Sequence, residues 1–270
     1  MFNMSKKIIT IIIAFIFTMI SMVMAFQWED ESGNIHHKGK HKFDKPIIEK
    51  DSKLGPWKDS PNIGSVDPKN YFCFEDDFLY DSTGQIADAD VWLTTMGATI
   101  QDDAMGGQIW LGAISSSVDN MQVNGESFKL ESGKPIWFET KFKLTDIDKD
   151  KWFVGFSVAD TAIIASLVDG IGFGSLDNTG DIDLIIRKNS MGPTIDTGYN
   201  LTDNTAVRLG FMWDGSNSKI STYINDVIYD YTVTGDYIPN DEALTPSVEV
   251  NIGAIANVIK LDYIKVIQER

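Results

Sequence analysis

The sequence predicts an all-β fold in which two antiparallel sheets pack as a sandwich. Three observations carry that expectation. Apolar and polar residues alternate with a period of two in several short runs. Gly, Asn and Asp recur between the runs, at intervals of about 8–12 residues, and a helical period of 3.6 is nearly absent from the body of the chain. The clearest instance is RLGFMWDGSNSKISTYINDVIYD, Arg208 to Asp230, where Asp214-Gly215 and Asn225-Asp226 divide three runs. Such pairs tolerate the positive φ that two-residue hairpin turns need, so the stretch reads as an antiparallel meander.

Taken in order, the chain opens with Lys6 and Lys7, then an uncharged apolar run from Ile8 to Ala25. Val23-Met24-Ala25 offers acceptable residues at −3 and −1 before Phe26, the layout of a secretory signal peptide. The run also approaches the roughly 20 residues that span a bilayer, so an uncleaved anchor is the alternative. Residues 26–70 are polar, rich in Lys, Asp, Gly and Pro, and keep neither period, which predicts a linker or extended arm. All three histidines, His36, His37 and His41, lie there, in a tract that reads as solvated and basic rather than as a metal site.

Residues 71–270 are expected to form the folded body. In PIWFETKFKL, Phe138, Thr140, Phe142 and Leu144 share one face, and Glu139, Lys141 and Lys143 the other, as in a half-buried strand. KWFVGFSVAD is nearly continuous in apolar residues and suits a central strand. ADTAIIASLVDG, Ala159 to Gly170, is the one stretch that reads as a short helix or a loop. DGIGFGSLDNTGDIDLIIRK reads as a glycine-spaced strand, a turn at Asn178–Gly180 and another strand. At the end, Ile259, Leu261 and Tyr263 alternate with Lys260 and Asp262.

The chain carries 23 Lys and Arg against 39 Asp and Glu, a net charge of −16. Residues 1–60 hold nine Lys against seven acids, so residues 61–270 hold 14 basic residues against 32 acidic ones. A body this acidic repels phosphates, which argues against a nucleic acid partner. Cys73 is the single cysteine, so no disulfide forms within the chain. Its neighbours Glu75, Asp76 and Asp77 disfavour a thiolate, and the residue reads as a structural thiol.

WFETKFKLTDID, WFVGFS, DGIGFGSLDNTGDI, VRLGFMWDGSNSKISTYINDVIYDYTV and the closing LDYIKVIQER together resemble the concanavalin A-like, laminin-G-like jelly-roll sandwich. The resemblance spans roughly Phe74 to Arg270. Tyr223-Ile224-Asn225-Asp226 stands for that superfamily's Y-[IV]-[ND]-[GD] hairpin, with Asp226 where Gly is usual. More narrowly, the FEDDFL opening and the DYIKVIQER close resemble uncharacterised virion proteins of tailed phages.

The superfamily includes glycoside hydrolases, which need two carboxylates across the glycosidic bond. Those of family 16 place them as E-x-D-x-x-E on one strand. That run is absent: after Asp181 and Asp183 the third position is Ile186, and Glu126 and Glu131 have the wrong spacing. The body contains no His, which excludes a Ser-His-Asp or Cys-His triad there. No phosphate-binding glycine loop occurs. Asp146, Asp148 and Asp150 alternate as calcium ligands would, but an EF-hand needs Gly and Glu where Lys151 and Ser157 stand, so no metal and no cofactor is expected. Trp92, Trp110, Trp137, Trp152 and Trp213 are the candidates for a sugar-stacking platform.

No catalytic residue is therefore expected. The leading expectation is a non-enzymatic virion structural protein, a capsid decoration or head fibre that displays a lectin-like sandwich. Its expected partners are capsid or other virion proteins and further copies of itself, with arm 27–60 docking to an acidic neighbour. The alternative is a secreted, periplasmic or surface-anchored glycan-binding module that holds a glycan on its concave sheet or loops. A hydrolase without a recognisable motif comes third. Any membrane contact would run through residues 8–25, if uncleaved.

Overall fold

The computed structural model describes residues 28–29, 35–36, 55–61, 66–78, 91–95, 99–100, 107–112, 118–148, 150–216, 219–233, 236–252 and 258–270. The apolar run 8–25, His37 and His41 lie outside these residues. The chain divides into two compact units, Met1–Ile47 and Ile48–Arg270. In the first, β1 (Trp28–Glu29) pairs antiparallel with β2 (Ile35–His36).

The second unit is a two-sheet antiparallel sandwich, as expected. Its strands are β3 (Tyr71–Asp76), β4 (Trp92–Thr94), β5 (Thr99–Ile100), β6 (Ile109–Leu111), β7 (Val118–Val123), β8 (Ile136–Leu144) and β9 (Asp150–Ser157). After the one-turn helix α1 (Ile163–Ser166) come β10 (Gly170–Ser175), β11 (Asp181–Arg187), β12 (Thr194–Asn200), β13 (Val207–Trp213) and β14 (Lys219–Ile224). The chain ends with β15 (Val227–Thr232), β16 (Thr245–Ile252) and β17 (Ile259–Glu269). A seven-stranded sheet runs β12-β11-β10-β9-β16-β7-β4. An eight-stranded sheet runs β15-β14-β13-β8-β17-β6-β5, with β3 also pairing β17.

The period of two explains the core. Phe138, Phe142 and Leu144 of β8 face inward, as do Trp152, Val154 and Phe156 of β9. Phe138 stacks on its cross-strand neighbour Phe211 at 5.2 Å, and both meet Phe156 of the opposite sheet at 5.4 and 5.8 Å. These pairs add about 0.5–1.5 kcal/mol each to the burial of the rings. The β14–β15 turn has Asn225 at φ 47° and Asp226 at φ 71°, the double left-handed geometry the hairpin needs.

Each sheet also buries part of its outward face. Over the eight-stranded sheet, Trp57 packs edge-on against Tyr223 at 4.9 Å, in a cluster with Trp137 and Ile267. Residues from the stretch read as an arm thus cover the sheet, and Glu139, expected to face solvent, is 5 % exposed. Its carboxylate accepts hydrogen bonds from the Gly55 amide and, at 2.6 Å, from the Tyr263 hydroxyl. Tyr263 reaches that face through a register shift in β17 between Leu261 and Tyr263. The bulge reverses the alternation read from the sequence, so that Ile264 and Val266 continue the core.

Candidate functional site

Alternate residues of β10, β9, β16 and β7 build the middle of the outward face of the seven-stranded sheet. On β10, Ile171 and Phe173 point into the core, which leaves Gly170, Gly172 and Gly174 on the outward side. Registered across them lie Ser157, Gly155 and Phe153 of β9, then Thr245, Ser247 and Glu249 of β16, then Gln122 and Asn120 of β7. A β-carbon at Gly172 would fall 2.5 Å from the Val154 carbonyl oxygen, and one at Gly174 would fall 2.5 Å from that of Trp152. The neighbouring backbones therefore leave this strand no room for outward side chains.

α1 lies over that bare strip. Its Ile163 is 1 % exposed and packs with Phe153 and Ile185, flanked by Ile164, Leu167 and Leu176. One helical turn is too short to be stable alone, and no side chain at its own N-cap closes it. Glu249 does so from β16. Its two carboxylate oxygens accept the Ile163 amide at 2.5 Å and the Ile164 amide at 3.0 Å. Burial pushes the Glu249 carboxyl above its ordinary range, and the charge of Asp160 adds to this. The Ile164 and Ile163 amides and Asn120 pull the other way. Asp160 is held low by the Ser166 hydroxyl, at 2.6 Å, and by the Ala162 and Thr161 amides. The two carboxylates thus titrate apart, yet both spend their oxygens on fastening α1.

Depressions open on both sides of α1. On the β7 side, about 440 Å³ is lined by Leu93, Thr94, Thr95, Asn120, Gln122 and Asp160, among others. Leu93 is 50 % exposed. The polar walls are fixed. Gln122 donates to Ser247 Oγ at 2.9 Å and to Ser157 Oγ at 3.1 Å, and accepts from the Asp160 amide at 2.9 Å. Asn120 donates to the Asp160 carbonyl at 3.2 Å, and its amide donates to Thr95 Oγ1 at 3.0 Å. On the β11 side, a smaller depression of about 280 Å³ is lined by Arg187, Ser166 and Ser190 together with the side chains that pack around α1.

The residues singled out in the sequence fall elsewhere. Asp146 accepts the Asp148 amide at 3.2 Å in a turn, while Asp150 opens β9, fully buried opposite Ile252. Among the described residues, no group of three or more His, Cys, Asp or Glu is gathered closely enough to hold a metal ion. Of the tryptophans proposed as a sugar platform, Trp92, Trp152 and Trp213 are core, and Trp137 is covered with Trp57. Trp110 is half-buried, with the Lys260 ammonium 3.8 Å from its ring centre. Asp183 pairs across strands with Asp196. Its carboxyl is raised by burial and then by Asp196, Asp177 and Asp181. Cys73 is half-buried, and burial raises its thiol further. Among the described residues no helix is long and apolar enough to cross a membrane. Glu249 and Arg187 were not singled out in the sequence, because a lone acid within VEVNI and a lone Arg after DLII carry no motif.

No protein-family model matches the chain, and no curated protein matches its sequence. Solved structures do match its fold. SCLam, a non-specific endo-β-1,3(4)-glucanase of glycoside hydrolase family 16, superposes with a TM-score of 0.54 at 12% identity, over 81% of this chain and 97% of its own. A protein of unknown function from Shewanella oneidensis MR-1 gives 0.53 at 18% identity, over 74% of this chain and 87% of its own. Arcelin-5, a lectin-like defence protein from Phaseolus vulgaris, gives 0.52 at 9% identity, over 74% and 98%. The fold is the concanavalin A-like jelly roll that lectins and family 16 hydrolases share. Nothing in these matches links the chain to tailed-phage virion proteins.

Proposed function

We propose that this chain is a non-catalytic, lectin-like carbohydrate-binding protein whose ligand lies on the outward face of the seven-stranded sheet, beside α1. The observation that carries the reading is the depression on the β7 side. It combines an exposed apolar residue, Leu93, with amide, hydroxyl and carboxylate groups already locked by hydrogen bonds. Preorganised polar groups around an apolar contact suit a sugar ring, whose hydroxyls are then met without further ordering. The lectin-like and family 16 folds among its neighbours support the same class of ligand.

The glycines of β10 support binding over hydrolysis. That strand has no outward side chain with which to present carboxylates. Glu249 and Asp160 are occupied in holding α1. The test is a glycan array with the full chain, followed by calorimetry on hits and a reducing-sugar assay on the same glycans. The expected result is binding in the micromolar to millimolar range, roughly −8 to −4 kcal/mol, with no release of reducing ends. Leu93→Asp should weaken it about tenfold or more with the fold intact. Turnover of a bound glycan would replace this reading with the hydrolase.

Display on a virion, with capsid proteins as neighbours, is a separate question of location. Its support is the resemblance of the FEDDFL and DYIKVIQER segments, and intact-mass analysis of purified particles tests it.

A further inference from the structure

The depression on the β11 side carries the second observation. Arg187 leaves β11 on the outward face of the sheet, registered opposite Gly170. Its Nη1 donates to the carbonyls of Ile186, Gly192 and Pro193 at 2.9, 2.9 and 2.8 Å, stapling the β11–β12 connection. Nη2 donates to Thr194 Oγ1 at 2.8 Å. The staple consumes the Nη1 end of the guanidinium. Nε makes no hydrogen bond among the described residues, and Nη2 has a second hydrogen. The Nε–Nη2 edge is the one that binds a carboxylate or sulfate through two parallel hydrogen bonds.

No carboxylate among the described residues pairs with Arg187, in a body where acids outnumber bases more than two to one. The nearest outward acid on its own strand, Asp183, is four residues away, about 13 Å at roughly 3.3 Å per residue. That exceeds the screening length of about 8 Å at physiological salt. The depression it lines, about 280 Å³, is walled by Phe153, Ile164, Leu167, Leu176 and Ile185. Partial burial desolvates the guanidinium and lowers its pKa. A cation in such a setting gains more from an anion than an exposed one does. At this size the space suits one sugar ring or its substituent, below the 300–1,000 Å³ usual for a drug-sized ligand.

The geometry points to an anion subsite at Arg187, which takes the carboxylate of a uronic acid or the sulfate of a sulfated sugar. Ser190 stands at the same depression with a hydroxyl for a remaining oxygen, whereas the Ser166 hydroxyl there is already given to Asp160. This rests on the glycan-binding reading above and narrows it to acidic saccharides, which would pass α1 with the neutral part of the chain on the β7 side. The general acidity of the body sets a long-range repulsion, so binding should be slow at low salt and quicker at physiological salt.

The test compares three sets of immobilised oligosaccharides: uronates with their carboxyl-reduced forms, sulfated galactans with their desulfated forms, and unmodified neutral glycans. The wild type, Arg187→Gln and Ser190→Asp are each measured. Arg187→Gln removes the fork but also the staple, so Ser190→Asp serves as a second variant. Ser190 sits at φ 65°, a conformation that Asp tolerates, and the new carboxylate would occupy the guanidinium while leaving the hairpin stapled. The expected result is that the wild type prefers one acidic set over its neutralised form, and that both variants weaken it about 10- to 100-fold. The set that responds distinguishes carboxylate from sulfate. Binding confined to neutral glycans, or acidic binding untouched by both variants, would overturn the subsite and leave the lectin-like reading standing. Failure to bind any glycan would overturn both.

Discussion

Trp57→Ala tests whether residues 55–61 belong to the folded body. The indole is 6 % exposed, and its Nε1 donates to Ser221 Oγ at 3.1 Å. A tryptophan buries about 150–250 Å². At about 25 cal/mol per Å², that is roughly 4–6 kcal/mol, an upper limit because the unfolded chain is not fully extended. The slot lies on the sheet surface, so water fills it and the cavity penalty of an interior deletion is mostly avoided. Ser221 Oγ keeps its bond to Asp230, at 2.6 Å, so little is added for an orphaned acceptor. The expected loss is about 3 kcal/mol, with Trp57→Phe losing about half as much. Urea unfolding followed by far-UV circular dichroism reads it, with the slope unchanged if segment and sandwich unfold together. A loss below about 1 kcal/mol for Trp57→Ala would refute the packing, and with it the burial of Glu139.

Two further outcomes follow from particular side chains. The Glu249 carboxyl is raised by burial, so the folded state binds its proton more tightly than the unfolded chain, whose value is about 4.3. Stability from this group is present at low pH and is lost as pH rises from about 4.3 through the raised folded value. Urea midpoints across pH 4–8 should show that slope reduced in Glu249→Gln. The variant should also be less stable at neutral pH by about 2 kcal/mol, because one α1 amide then faces an NH₂ group. A variant with the wild-type slope would refute the assignment. Asp226→Gly relieves a left-handed φ of 71° but gives up the Arg208–Asp226 ion pair, which is exposed. Glycine's relief of about 1 kcal/mol against an exposed pair worth roughly 0.2–1 kcal/mol predicts a gain of about 0.5 kcal/mol. Thermal unfolding should show a rise of roughly 1–2 °C, and a clear fall would mean that the ion pair outweighs the turn.

Much of the sandwich was legible because the signals were local. The alternation in PIWFETKFKL and the Asn225-Asp226 turn each fix a strand or hairpin within about ten residues. What escaped depends on contacts between distant segments. Glu139 alternates with the core residues as a solvent-facing acid should, and only Gly55 and Trp57, about eighty residues earlier in the chain, make it a buried one. Tyr263 looked like a core residue until the bulge in β17 turned it outward. Ile163 and Ile164 gave α1 an apolar anchor, but the carboxylate that caps it comes from Glu249, 86 residues away from Ile163. The tryptophans were no more than candidates for a binding platform, because a sandwich buries most of its tryptophans, and this one spends most of them on its interior. The face with the fixed polar walls is instead made of Asn, Gln, Thr and Ser, types too common for a sequence to mark.

The bare outward side of β10 also limits what this chain can become. Any β-carbon placed at Gly172 or Gly174 meets the backbone of β9, which cannot yield as a flexible side chain would. An acidic side chain at either position would have to displace that backbone, so the strand is closed to outward carboxylates. Carboxylates on this face therefore belong to the neighbouring strands, and of these Glu249 is committed to holding α1.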